Sequence, residues 1–214
     1  MLVEIWSDVI CPWCYLGKRR FESALSRFTH RDEVEVRWRS FELDPRAPIE
    51  RDGDLAGHLA RKYHTSREKA EARQARLASL GAADGVDFDF TRARPGNTFD
   101  AHRMLHLAEA HGCRNEAEER LFRAYFSEGQ AIGLRPTLER LMVEVGLDAG
   151  EVARSLAGDD HGEAVRADEA EAIELDVAAV PFFRFDRRAG LPGAQEVDVM
   201  LRVLERTWES GHRA

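Results

Sequence analysis

Asp8-Val9-Ile10-Cys11-Pro12-Trp13-Cys14-Tyr15 holds two thiols in Cys-x-x-Cys spacing, directly after the apolar, β-prone run Leu2 to Val9 and directly before a stretch of helical periodicity. The first turn of a helix sets residues three apart on one side, close enough for their sulfurs to bond, so a reversible disulfide is geometrically available. Cys11 falls at or just before the first helical residue, where unpaired backbone N–H groups and the positive end of the helix dipole favour an anion. Such a position populates thiolate near neutral pH. Pro12 suits the first helical position, since the N–H it lacks would have had no partner there. The competing use of the pair is half of a zinc site, which needs two further Cys or His ligands at matching spacing. Only Cys113 remains among the cysteines, with no second Cys-x-x-Cys, so the pair reads as a redox dithiol.

Working outward, Phe21, Ala24, Leu25 and Phe28 make one buried helical stripe after the dithiol, with Lys18, Arg19, Arg20 and Arg27 largely off it. Val34, Val36 and Trp38 then alternate with Glu35, Arg37 and Arg39, a second strand. Strand, helix, strand in so short a space is a βαβ unit with parallel strands. From Asp44 to about Asp176 the pattern is helical, and five or six helices are expected. Their starts are read at a Thr65/Glu68 capping box, at Asn97 or Thr98, at Asn115 with Glu118, at Pro136 and at Asp148 with Glu151. The stripes Ala101, Met104, Leu105, Ala108 and Leu121, Phe122, Tyr125, Phe126 are their buried faces. The β signal returns at Val180 to Phe185, Asp186 to Gly190 reads as a turn, and Leu191 starts a short partner strand. Val197, Met200, Leu201, Leu204 and Trp208 then recur at helical spacing. The order βαβ, helices, ββα predicts an α/β thioredoxin fold with a central mixed sheet. Residues 1–44 and 177–214 build that domain, and 45–176 form an all-helical insertion, or cap.

The chain has 214 residues, enough for a sizeable core without a disulfide scaffold, and three cysteines are too few for one. Met1-Leu2-Val3-Glu4-Ile5-Trp6 already reads as a strand, with neither the basic region nor the apolar run of a signal peptide, which predicts a cytoplasmic protein. No stretch has the apolar length of a membrane span. The net charge is −8, and the arginines lie beside glutamates along solvated helix faces rather than in basic blocks, so neither nucleic acid nor membrane is expected as a partner.

With these elements placed, the chain resembles the thioredoxin superfamily and, more closely, the DsbA-like thioredoxin domain family in its cytoplasmic FrnE-like branch. The resemblance rests on Trp6-Ser7-Asp8, Cys11-Pro12-Trp13-Cys14-Tyr15, Gly17 to Glu22, Asn97-Thr98, Ala101-His102-Arg103, Val180-Pro181-Phe182-Phe183 and Gly193-Ala194-Gln195. It implies a dithiol–disulfide oxidoreductase or isomerase in which Val180-Pro181 is a cis peptide lying against the dithiol. Val180 then offers backbone groups to an extended substrate segment, and Asn97 and His102 belong to the pocket. The family usually carries a glycine upstream of this proline and an apolar residue after it, where this chain has Ala178-Ala179 and Arg184.

The expected chemistry is thiol–disulfide exchange, with Cys11 attacking, Cys14 resolving, and Pro12 and Trp13 tuning the redox potential. Its partner is a disulfide- or thiol-containing protein or small molecule. No cofactor is needed beyond the redox-active disulfide, although glutathione is compatible as a co-substrate. Monomer and homodimer both suit the sequence. A second reading is a glutathione-dependent isomerase or transferase, resembling the 2-hydroxychromene-2-carboxylate isomerases and kappa-class glutathione transferases, whose members usually carry serine where Cys11 stands. A third is a chaperone-like binding protein using an apolar groove of the cap, against which ordinary helix packing accounts for the same stripes. His102 and His106 sit one turn apart, a metal-compatible spacing, but without the glutamate of a His-Glu-x-x-His arrangement no metal is expected. Asp8 reads as a solvated or capping strand-end acid, and Cys113 as a bystander at a helix end.

Overall fold

In the computed structural model residues 1–211 are described; the end of the terminal segment, 212–214, lies outside the described residues. The central strand β1 (Leu2–Ser7) pairs in parallel with β2 (Glu35–Ser40), Val3 opposite Val36 and Ile5 opposite Trp38. On its other side β1 pairs antiparallel with β3 (Phe182–Phe185), which pairs antiparallel with β4 (Ala189–Pro192), giving the order β2-β1-β3-β4. Helices α1 (Pro12–Arg27) and α9 (Val197–Gly211) bring Phe21, Ala24, Phe28, Met200 and Leu204 onto Val3, Ile5, Phe183 and Phe185. Full burial of each large apolar side chain here contributes about 1.5–3 kcal/mol. This is the mixed sheet of a thioredoxin fold.

The hairpin turn is shorter than expected, because β4 begins at Ala189 rather than Leu191. Asp186 and Arg187 both take positive φ, 46° and 57°, which an aspartate tolerates when its carboxylate is held. Here Asp186 Oδ1 accepts a 2.7 Å hydrogen bond from the Leu2 N–H. The first strand likewise stops at Ser7 rather than Val9, where the chain turns toward the dithiol.

Between β2 and β3 lie α2 (Leu55–Lys62), α3 (Arg67–Ala83), α4 (Phe99–Ala110), α5 (Arg114–Phe126), α6 (Arg135–Glu144), α7 (Ala149–Ala157) and α8 (Gly162–Glu174). That is seven helices among the described residues, not five or six; α2 and α8 are the additions. α2 is a two-turn helix with only Leu55 and Ala56 buried, and α8 buries Asp168 on its inner face, so neither shows a continuous apolar stripe. Ser66, not Thr65, caps α3, accepting from the Lys69 N–H, and α5 starts after Cys113, which leaves Asn115 inside the helix. The stripes of α4 and α5 are buried as helix packing. Tyr15 of α1 inserts among them, stacked on Phe122 with centroids 4.7 Å apart, so the helical segment and the dithiol end of the sheet share one apolar cluster.

Two charged residues of α1 depart from the expected solvated face. Lys18 is buried, its Nζ donating to Glu22 at 2.5 Å and Glu119 at 3.2 Å, and Arg20 is buried against Asp84 and the Ala194 carbonyl. A charge taken out of water needs such partners, and α1 itself, the end of α3, α5 and the loop before α9 supply them.

Candidate active site

Cys11 is the N-cap of α1, in extended conformation at φ −89° and ψ 113°, and Pro12 opens the helix. The Cys11 N–H donates to the Asp8 carbonyl at 2.9 Å and the Cys14 N–H to the Cys11 carbonyl at 3.0 Å, which fixes the dithiol turn. Both cysteines are free thiols. The Cys11 thiol donates to the Val180 carbonyl at 3.5 Å, and the Val180-Pro181 peptide is cis. The Pro181 ring rests on α1 at Gly17, where an added Cβ would stand 2.9 Å from its Cγ. The missing side chain is what lets the Pro181 loop approach the helix.

Cys11 opens onto a cleft of about 500 Å³, shared with Pro12, Trp13 and Val180; Cys14 does not reach it. Trp13 is 43% exposed at the rim. Leu55, Leu59 and Leu77 give the cleft an apolar wall from α2 and α3. The same helices and the loop before them add Arg51, His58, Lys62 and Arg73. Arg51 is paired with Asp44. Burial, helped by Arg51 and Lys62, holds His58 below its ordinary value, so it is neutral at pH 7. No carboxylate pairs with Lys62 or Arg73 among the described residues.

Behind the cleft the surroundings are dry. Cys14 is 1% exposed, and burial, reinforced by the neighbouring Cys11 sulfur, pushes its thiol well above the ordinary value. The Ser7 hydroxyl pulls against that rise and donates to Glu118 Oε1 at 3.1 Å. Burial likewise raises Glu118, against opposing pulls from Arg114 and His102. Asp8 is buried rather than solvated; its Oδ2 accepts from the Leu43 N–H at 2.7 Å and its Oδ1 lies 3.5 Å from His102 Nε2. For His102, burial opposes protonation, but the Asp8 carboxylate outweighs it and the net shift is upward.

Asn97 and His102 therefore stand elsewhere than expected: neither lines the cleft. Asn97 Oδ1 accepts from the Phe99 N–H at 2.9 Å and its Nδ2 donates to Glu42 at 3.3 Å, so it organises the start of α4. His102 lies on the inner face of α4, beneath Asp8. Among the described residues no group of three or more His, Cys, Asp or Glu is arranged to hold a metal ion, and no helix is long and apolar enough to cross a membrane.

The model of the DsbA-like thioredoxin domain matches residues 2–205. The chain belongs to the DsbA-like thioredoxin domain family. A probable DsbA oxidoreductase from Streptomyces coelicolor is 42% identical, superposes with a TM-score of 0.95, and the match covers 100% of this chain and 92% of that one. A 2-hydroxychromene-2-carboxylate isomerase (18% identity, TM-score 0.75, 99% and 98% covered) shares the fold. So does the cytosolic disulfide reductase DsbM of Pseudomonas aeruginosa (20% identity, TM-score 0.70, 98% and 100% covered).

In this DsbA-like chain the site residues that sequence reasoning missed are Ser7, Glu118, Lys62 and Arg73. Glu118 had a readable signal. It stands one turn ahead of Leu121 and Phe122 on the apolar stripe of α5, where a carboxylate must be buried, yet its spacing from Asn115 made it look like a capping residue. Lys62 and Arg73 carried no such mark, since only the α2–α3 packing turns them toward the dithiol.

Proposed function

We propose that this DsbA-like oxidoreductase catalyses thiol–disulfide exchange through Cys11 and Cys14. The observation that carries this reading is the asymmetry of the pair: Cys11 opens onto the cleft at a helix N-terminus, while Cys14 is sealed behind it and held as a thiol. The Cys11 thiolate attacks a substrate disulfide, forming a mixed disulfide and releasing one substrate thiolate. Cys14 then attacks Cys11 Sγ, closing the Cys11–Cys14 disulfide and releasing the second. Val180 would offer its backbone beside the reacting sulfur, Pro12 and Trp13 tune the potential, and no cofactor enters the cycle. Substrates are protein or small-molecule disulfides, and a Cys-x-x-Cys pair used as a reductant suits a reducing compartment such as the cytoplasm, the setting of the Pseudomonas relative. Cys11→Ser is expected to reduce disulfide turnover to background, and Cys14→Ser to accumulate the mixed disulfide, read by intact mass; wild-type turnover in Cys11→Ser overturns the reading.

One observation favours glutathione as the thiol partner. Lys62 and Arg73 are cations without carboxylate partners in the cleft of a chain whose net charge is −8, and such groups suit a ligand bearing carboxylates. Isothermal titration with glutathione, with and without Arg73→Glu, tests this directly.

A further inference from the structure

The cleft in front of Cys11 is a small chamber with a fixed wall. Cys11 is only 4% exposed although it opens onto about 500 Å³ of space, so its sulfur is reached from inside the cleft. That volume falls in the range of about 300–1,000 Å³ that suits one small ligand. The wall made by α2 and α3 is tied down at the end of α3. Arg20 of α1 binds Asp84, the C-cap of α3, at 2.9 Å. Gly81 lies against the Phe88 ring, which meets Phe126 of α5 edge-on with centroids 5.1 Å apart. α3 is thereby held to the dithiol helix and to the helical core. Within this wall Gln74 has an unused donor. It is 8% exposed, lines the cleft, and its Nε2 is buried with no hydrogen-bond partner among the described residues. Leu77, one turn further along α3, and Phe90 line the cleft with it. An amide left unpaired in such apolar surroundings is costly, and an acceptor on a bound ligand removes the cost. The last torsion of a glutamine is broad and two-fold, so rotation about it turns the N–H₂ group to the cleft.

We infer that the cleft admits low-molecular-weight disulfides carrying an amide or carboxylate, anchors them through Gln74, and excludes the disulfides of folded proteins. This rests on thiol–disulfide exchange at the dithiol, but not on glutathione being the substrate. The Cys11 thiolate attacks one substrate sulfur; the Cys11–substrate bond forms and the substrate S–S bond breaks, its electron pair leaving on the other sulfur. Closure of the Cys11–Cys14 bond then frees the second half. Two protein thiols are oxidised to one disulfide, one small disulfide is reduced to two thiols, and the two thiol protons end on the products. A folded protein is excluded because its surface meets the exposed Trp13 and Tyr63 and the α2–α3 wall before its disulfide reaches Cys11. A small disulfide enters whole, and its carbonyl or carboxylate oxygen accepts from Gln74 Nε2.

The test mixes the reduced full-length protein with one disulfide at a time, quenches with acid and reads intact mass, the first phase being attack by Cys11. Each rate is divided by that of dithiothreitol on the same disulfide, which removes intrinsic reactivity. 3,3′-Dithiodipropionamide and 3,3′-dithiodipropionate are expected to outrun hydroxyethyl disulfide, which has no carbonyl, roughly tenfold, and insulin by far more. Gln74→Leu is expected to abolish the preference for the amide over hydroxyethyl disulfide, and Gln74→Met, closer in length to glutamine, to do the same. Insulin reacting as fast as the amide overturns the exclusion of proteins. A preference unchanged in both variants overturns the anchor. If no disulfide oxidises the wild type faster than it oxidises dithiothreitol, thiol–disulfide exchange itself falls, a result distinct from either.

Discussion

On one face of β1, Val3 and Ile5 join Phe21, Phe28, Phe183, Phe185, Met200 and Leu204 in an apolar cluster under α1 and α9. On the other, Glu4 is fully buried and meets Arg39 at 2.6 Å, with Arg184 and Arg187 beside it. Next to Glu4, Asp168 of α8 binds Arg39 at 2.9 Å, the Ser40 N–H at 2.9 Å and His106 at 3.1 Å, and the Trp6 indole donates to the Asp168 carbonyl at 3.0 Å. Apolar burial is non-directional, so the first face needs mainly volume. The second depends on directional bonds, and removing one partner strands another in a dry site. The first face holds the sheet together; the second sets the position of α8 and α4 on it.

The largest expected effect falls on the apolar face. Phe183→Ala should cost about 3–5 kcal/mol of unfolding free energy in urea, while the dithiol kinetics of the molecules that remain folded are unchanged. A loss below about 1 kcal/mol would mean that this face does not dominate stability. On the polar face, Asp168→Asn should cost about 1–3 kcal/mol at pH 7 and depend on pH. Burial pushes the Asp168 carboxyl up, but His106, the Ser40 N–H and Arg39 more than offset it and hold it below the usual range. A value lowered by folding gives stability that is complete above the unfolded value, near 3.9, and is lost as pH falls through the folded value. Wild type and variant should therefore converge in urea midpoint below about pH 4. The smallest change in stability, roughly 1 kcal/mol, is expected for Gly17→Ala at the seam between α1 and the Pro181 loop. Because Pro181 must shift, the first phase of disulfide attack should slow several-fold, whereas a wild-type rate would show that the loop yields without disturbing Cys11.

The same contrast explains what the sequence made legible. The apolar face was readable because Phe21, Ala24 and Phe28, or Met200 and Leu204, repeat at helical spacing and Val3 and Ile5 at strand spacing. Cys11 and Cys14 were readable because their spacing alone sets their geometry. The polar face was not, because a buried Glu4 or Asp168 has the letter of a surface residue, and its partners come from distant segments. α8 shows no continuous apolar stripe for that reason, and Lys18 and Arg20 read only as lying off the buried stripe of α1. His102 was placed in the pocket by resemblance, whereas the fold turns it inward under Asp8.

The strand order β2-β1-β3-β4 leaves two outer edges, and an open edge can recruit a strand from another molecule. Beside β2, Asp168 occupies the Ser40 N–H, Glu169 takes the Glu42 N–H at 3.2 Å, and Arg37 and Glu35 put charge on the strand. At β4, Pro192 has no N–H to offer and closes a strand of four residues. Both edges are blunted against edge-to-edge growth. Aggregation of this chain should accordingly begin from molecules that have lost α8 or the hairpin, not from the native sheet.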